Sequence, residues 1–283
     1  YLVEHFGVNA VFFEDDYFFG NPRRVEEICD LLIEKEMKVL IQVPCRVDYL
    51  HRQDDEMIDK LYRAGFKELW VSPESGSPER LKEILKRTTL EQVRKVNRLL
   101  SRSDVYVKYG FMAGFPNEER EETLQTVDFM FELLSTNPGA GTAPVAIYTP
   151  YPGTTLYDKS RLVHGMEFPD TLEGWSHFHF GENNNPFLSQ SQKKFISKIN
   201  VMSRFFERRA FERFCDNRFK PLLMGIYGFY YRYLRLRLRW RFFHFMPEIP
   251  LIRLMEKVYV QWFHRSQLSN LKKPMTSDTY VEG

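Results

Sequence analysis

Cysteine is scarce in this chain: Cys29, Cys45 and Cys215 are its only thiols among 283 residues. Three widely separated cysteines exclude a disulfide-built scaffold and suit a reducing compartment. Long apolar runs are missing too. The longest nearly unbroken one, Pro221 to Tyr231, is about half of the ~20 residues a membrane-spanning helix needs. No basic stub followed by an apolar core and a small-residue cleavage site opens the chain, so no secretory signal is read. Low-complexity tracts are absent as well. The remainder is ordinary globular material, 43% hydrophobic and 28% charged, which excludes wholesale disorder and supplies a sizeable core. The chain opens on Tyr1 in what reads as the end of a helix, which predicts a fragment of a longer protein.

The net charge of +2 hides an asymmetry. Residues 218–265 carry ten Lys or Arg against Glu248 and Glu256, a local charge of +8 that leaves −6 on the rest. Aromatic side chains crowd the same segment, and a basic, aromatic tail on an acidic body calls for an explanation.

Short runs rich in Val, Ile and Phe alternate with charged stretches of helical period, the pattern of strand–helix units around a parallel sheet. The strands are read at Ala10–Glu14, Val39–Val43, Glu68–Ser72, Val105–Met112 and Pro144–Tyr148. Asn21-Pro22 and Ser77-Pro78 put a capping residue before a proline at the first helical position. Thr88 with Glu91 reads as a capping box, and Asn117 precedes a run of Glu suited to a helix N-terminus. Residues 160–190 lack periodicity and read as loop. Gln190 to Arg218 reads as helix, with Phe195, Ile199, Met202, Phe206 and Ala210 three or four apart. Beyond it, Arg235, Arg237, Arg239 and Arg241 alternate with Leu236, Leu238 and Trp240, a period that suits a strand.

In strand–helix barrels, reactive groups gather where strands end. The five segments just past the strands are Glu14-Asp15-Asp16, Pro44-Cys45-Arg46-Val47-Asp48, Pro73-Glu74-Ser75-Gly76-Ser77, Ala113-Gly114-Phe115-Pro116-Asn117 and Thr149-Pro150-Tyr151-Pro152-Gly153-Thr154. Polar groups, Gly and Pro collect there. Spacing alone does not name a reaction.

The order FFEDDYF, CRVDYL, AGFKELWVSPESGSPERLKEILKRTT, KYGFMAGFPNEEREET and YTPYPGTTLY resembles the radical S-adenosylmethionine superfamily. It is most similar to the branch with an upstream cobalamin-binding domain, which includes the anaerobic magnesium-protoporphyrin monomethyl ester cyclases. A weaker echo continues through GWSHFHF and NNNPFLS. The resemblance implies an α/β fold: a partial six-fold strand–helix barrel over residues 1–158 lacking its first strand. A linker over 159–189 and a C-terminal helical, basic and aromatic extension over 190–283 would come next. It implies S-adenosylmethionine and a [4Fe–4S] cluster as cofactors, and cobalamin if the upstream domain is present. The chemistry implied is a 5′-deoxyadenosyl radical or cobalamin-assisted methyl transfer. The family's closely spaced cysteine triplet does not occur here, so the cluster ligands and first strand are expected upstream of Tyr1. This chain alone is expected to be inactive.

By the same resemblance, Glu74 would accept hydrogen bonds from the ribose diol or methionine ammonium, with Ser75 beside it. Asp15 and Asp16 would meet the methionine amine, and Arg46 its carboxylate. Gly110, Met112 and Gly114 would line the adenine, with Tyr148 and Pro150 closing the other side. Each has a plain alternative: a cap network around Ser75–Ser77, loop carboxylates, a salt bridge from Arg46 to Asp48 or Asp16, a Pro-Gly turn. His177 and His179 read better as linker residues than as metal ligands, and Cys45 better as a quiet thiol than a reactive one. A small-molecule or lipid-like substrate and a protein electron donor are the expected partners. A cytoplasmic location is expected; for residues 218–265 the two readings are peripheral contact with an anionic membrane face and a solvated face that packs on the part of the protein missing from this chain. No recognised nucleic-acid motif accompanies the basic tail. A second reading places Mg²⁺ on Glu14, Asp15, Asp16 and Glu74 for hydrolase or lyase chemistry; a third is a shortened, non-catalytic binding module.

Overall fold

The computed structural model describes residues 1–162, 165–177, 185, 187–203, 220–243, 246, 249 and 250. The chain forms two units, Tyr1–Trp240 and Arg241–Gly283, and the elements named below belong to the first. Six strands, β1 (Ala10–Phe12), β2 (Leu40–Pro44), β3 (Phe66–Glu74), β4 (Tyr106–Ala113), β5 (Ala140–Thr142) and β6 (Ala146–Ile147), build one parallel sheet. Its order is β1-β2-β3-β4-β5, with β6 also on β4. Between and after them come α1 (Leu2–Phe6), α2 (Pro22–Glu34), α3 (Val47–Leu50), α4 (Asp55–Arg63), α5 (Pro78–Glu83), α6 (Leu90–Leu100), α7 (Arg120–Thr136), α8 (Thr155–Leu162), α9 (Leu172–Ser176), α10 (Gln190–Ser203) and α11 (Lys220–Arg239).

Parallel strands that are consecutive in both sequence and space need right-handed crossovers, which place every connecting helix on the same face. That face is the core. Ile41, Val43, Leu69, Val71, Val107, Tyr109 and Phe111 are buried on it, each contributing about 1.5–3 kcal/mol by leaving water. The other face is half open: β4 alternates buried with half-buried residues along its whole length. The expected α/β strand–helix architecture is thus present as a row of parallel strands.

The caps at Asn21 and Ser77 form as read, accepting the N–H of Arg24 at 3.3 Å and of Arg80 at 3.2 Å. One other is displaced: Thr89, not Thr88, caps α6, with Gln92 closing the capping box. The acidic run after Asn117 does open a helix: Glu119 precedes α7, its N–H donates to Glu122 at 2.9 Å, and Glu121 and Glu122 lie in the first turn.

The fifth strand is corrected in a more telling way. Ala140–Thr142 pairs with β4 ahead of the expected segment, and the ladder then breaks at Pro144, which has no N–H to donate. Val145 N–H turns to Asn200 Oδ1 at 2.7 Å, and pairing resumes only at Ala146 and Ile147. The alternating arginines are not a strand either. They form the last turns of α11, because Leu and Arg are strong helix formers and no β-branched residue interrupts them. Of the predicted helix at Gln190–Arg218, α10 covers Gln190–Ser203. Its remainder, Cys215, His179 and residues 251–283 lie outside the described residues.

Candidate functional site

Because the strands are parallel, the segments just past them line one edge of the sheet in the order β1, β2, β3, β4, β6. Glu74 ends β3. Val71 stands opposite Tyr109 and Glu74 opposite Phe111, so three residue steps on β3 face two on β4. This is a bulge, and Pro73, lacking an N–H, sits inside it. Gly110 makes room: a Cβ there would come within 2.7 Å of Ser72 Oγ. Past the bulge, Glu74 adopts φ 72, a left-handed conformation that costs about 1–2 kcal/mol for a residue with a Cβ. Its half-buried carboxylate accepts from Lys86 Nζ at 2.7 Å. Lys86 is delivered by the turn closing α5, where Leu85 takes φ 54 and Lys86 N–H bonds back to Leu81 O at 3.0 Å. Nothing in the sequence pointed to Lys86, because the turn that places it uses Leu where Gly is usual.

Ser75 turns inward. Its Oγ lies 3.0 Å from Thr126 Oγ1 and accepts the N–H of Ser77 at 3.1 Å, a buried cap network.

Asp15 and Asp16 are exposed in the turn after β1; Asp15 lies 3.9 Å from Arg24. Arg46, just past β2, makes a bidentate pair with Asp48 at 3.0 and 3.1 Å and lies over the Tyr17 ring at 5.4 Å. That pair holds the Asp48 carboxyl below its usual range. The loops after β1 and β2 are therefore in contact through Arg46 and Tyr17. Cys45 beside them is buried, which pushes its thiol well up and leaves it protonated.

The loop after β4 is held by groups that the sequence left unmarked. Glu118 accepts the N–H groups of Gly114 and of Phe115, the latter at 3.0 Å, and the Thr123 hydroxyl at 3.0 Å. Burial pushes its carboxyl up, and the three hydrogen bonds offset that only in part. Buried Arg80 reaches from α5 to the Pro116 carbonyl at 3.1 Å and to Glu122 at 2.7 Å, and also pairs with Glu83. Gly114 has φ 83, and a Cβ there would meet Leu188 at 2.8 Å. Asn185 Nδ2 donates to the carbonyls of Gly114 and Tyr148, both at 2.7 Å, tying the ends of β4 and β6 together. Tyr148 stacks on Phe115 at 5.0 Å, and burial pushes its phenol up to about 12. Pro150 is buried, and Met112 half-buried on β4. The NNNPFLS segment contains Asn185, the one signal that could have located it.

On the open face, Gln42 donates to Glu68 at 3.0 Å, the Trp70 indole donates to the same carboxylate, and Lys108 Nζ sits 4.7 Å from the Trp70 ring centre. Neighbouring registers bring these four side chains into adjoining layers of the sheet.

Among the described residues, no group of three or more His, Cys, Asp or Glu comes together to hold a metal. Glu74 is paired with Lys86, and the acidic turn at Glu14–Asp16 is exposed, so the predicted magnesium site is not assembled. Cys29 on α2 and Cys45 past β2 are separate buried thiols. They do not fit an iron–sulfur cluster, which needs convergent thiolates. His177 ends α9 and is exposed.

Residues 1–130 match the model of the Radical SAM superfamily. That match covers a little under half of the chain. The anaerobic magnesium-protoporphyrin IX monomethyl ester cyclase of Rubrivivax gelatinosus is 25% identical over 230 residues, 76% of this chain and 39% of that protein. An uncharacterized methyltransferase of Pyrococcus horikoshii is 26% identical over 157 residues, 56% of this chain and 32% of its own length. The chain thus spans well under half of the curated relatives it matches. Among solved structures, the apo form of the cobalamin-dependent S-adenosylmethionine radical enzyme OxsB aligns with 92% of this chain and 43% of its own, with a TM-score of 0.57 and 15% identity. That likeness shows the fold.

Proposed function

We propose that this chain is the S-adenosylmethionine-binding part of a radical enzyme whose cluster thiolates come from outside these 283 residues. The observation that carries the reading is Glu74. A carboxylate held in a strained left-handed conformation at the carboxyl end of a parallel strand, beyond a bulge, is held there by the surrounding structure, and such outliers cluster at ligand sites. Its acceptor oxygens suit a ribose diol, an ammonium or a sulfonium cation. When bound, S-adenosylmethionine supplies hydrogen-abstracting or methyl-donating chemistry. The chain's own part is to bind and orient it. Glu74 would hold the nucleoside or the ammonium, Asp15 and Asp16 the ammonium, and Arg46 the carboxylate after exchanging Asp48 for it. Met112 and Pro150 would flank the adenine. Ser75, Gly110, Gly114 and Tyr148 shape the site through the bulge, the Asn185 bridge and the Phe115 stack.

The names of the relatives extend the proposal to cobalamin as a further cofactor of the intact protein, with a small-molecule or lipid-like substrate and a protein electron donor. The Glu74→Ala variant of the intact protein tests the core of it. Loss of a charged hydrogen-bond partner is worth about 1.5–3 kcal/mol, so calorimetry should show S-adenosylmethionine binding weakened about ten- to a hundredfold. Iron content per chain should not change. Unaltered affinity would remove Glu74 from the site and the reading with it.

A further inference from the structure

Helix α11 runs for 20 residues from Lys220 to Arg239, about 30 Å at 1.5 Å per residue. One side is packed: Tyr227, Leu234 and Arg237 are buried. The side roughly 100° round the helix from it is apolar and bare. Leu222, Ile226, Phe229, Tyr233 and Leu236, with Trp240 just past the last turn, are 37–75% exposed. Their spacings of four, three, four, three and four keep all six within an arc of roughly 80° at 3.6 residues per turn. Single exposed apolar residues are normal on a protein surface, but a continuous stripe of this length is not.

The charges beside the stripe have one sign. Arg232 and Arg239 flank one border and exposed Arg235 stands behind them, while α11 contains no Asp or Glu. Among the described residues, no carboxylate pairs with any of these three arginines. No helix among the described residues is long and apolar enough to cross a membrane. We propose that this face of α11 docks in the plane of an anionic phospholipid surface. Leu222, Ile226, Phe229 and Leu236 enter the acyl boundary. Tyr233 and Trp240 sit at headgroup depth, and Arg232 and Arg239 meet the phosphates. The uniform positive charge beside the C-terminal half of the stripe complements an anionic leaflet, which selects lipid over a second copy of this equally basic face.

The inference sharpens the expected contact of residues 218–265 to one helix face and does not depend on radical chemistry. Its test is co-sedimentation of the intact protein with vesicles of phosphatidylcholine alone or with about a third phosphatidylglycerol. Binding to the anionic vesicles should be at least about tenfold stronger, and raising the salt to about 0.5 M should remove most of it. The double substitution Phe229→Glu, Trp240→Glu changes only exposed positions. It should abolish the anionic preference while leaving far-UV circular dichroism and S-adenosylmethionine affinity at wild-type values. Equal binding to both vesicles, no binding at low salt, or unchanged binding by the double variant would overturn the proposal. So would light scattering that shows a dimer broken by the substitutions, which would assign the face to a second copy.

Discussion

Glu118 shows how one side chain shapes the candidate site without touching a ligand. It closes the loop after β4 by accepting two backbone N–H groups and one hydroxyl, yet burial raises its carboxyl above the ordinary range. The folded state therefore holds this proton more tightly than the unfolded chain, and stability is lost as pH rises through the raised value. A glutamine at this position could accept both N–H groups and donate to Thr123 without that cost. Glu118→Gln is expected to match or exceed wild-type thermal stability at pH 8, with the gap closing as pH falls through the raised value and gone below about 4.3, where the unfolded carboxylate is itself protonated. Paired melting curves across that range would check it, and a gap that widens towards acid would refute it. Glu74 was legible in the sequence as a polar residue past a strand. Its left-handed backbone and its pairing with Lys86 were not, since both depend on a bulge and a turn built by residues on other elements.

Among the elements, β4 is anchored at its middle by a buried polar network. Tyr109 Oη donates to Asn97 Oδ1 at 2.9 Å, and Asn97 Nδ2 reaches the Leu133 carbonyl at 3.0 Å and Thr136 Oγ1 at 2.9 Å. Asn137 Nδ2 donates to the same Asn97 oxygen at 3.2 Å. All three principal residues are buried, so removing the hub leaves several partners without water or protein to satisfy them. Asn97→Ala is expected to cost about 2–3 kcal/mol and Tyr109→Phe about 1 kcal/mol, because Asn137 still serves Asn97 in the second variant. Urea midpoints at constant slope would measure both; equal costs would show that Asn97 is not the hub. Strand and helix identities here followed local pattern wherever period and propensity agreed, as in α2, α6 and β4. They failed where the two conflicted. The Arg–Leu alternation has a strand's period but a helix's propensities, and propensity prevailed.

At the scale of the whole molecule, the sheet order sets what the chain can hold. Its described cysteines sit on α2 and just past β2, both facing the core. The 283-residue chain, reconstituted with iron and sulfide without oxygen, should therefore show no broad visible absorption of a [4Fe–4S] cluster and no stoichiometric iron. The intact protein should show both if the proposed function holds. A stoichiometric cluster on this chain alone would mean that its own thiolates converge after rearrangement.

The sequence by itself determined the α/β class, the placing of four strands to within a few residues, and the identity of the loops that line the carboxyl edge of the sheet. Those properties depend on local period, capping residues and turn chemistry, which neighbouring residues decide among themselves. Only the tertiary structure decided that Glu74 is strained and paired, that Asn185 bridges the ends of β4 and β6, that the last strand breaks at Pro144, and that six apolar residues of α11 and its end share one bare face. Each of these depends on groups far apart in the chain meeting in space, or on which side of an element its neighbours leave uncovered.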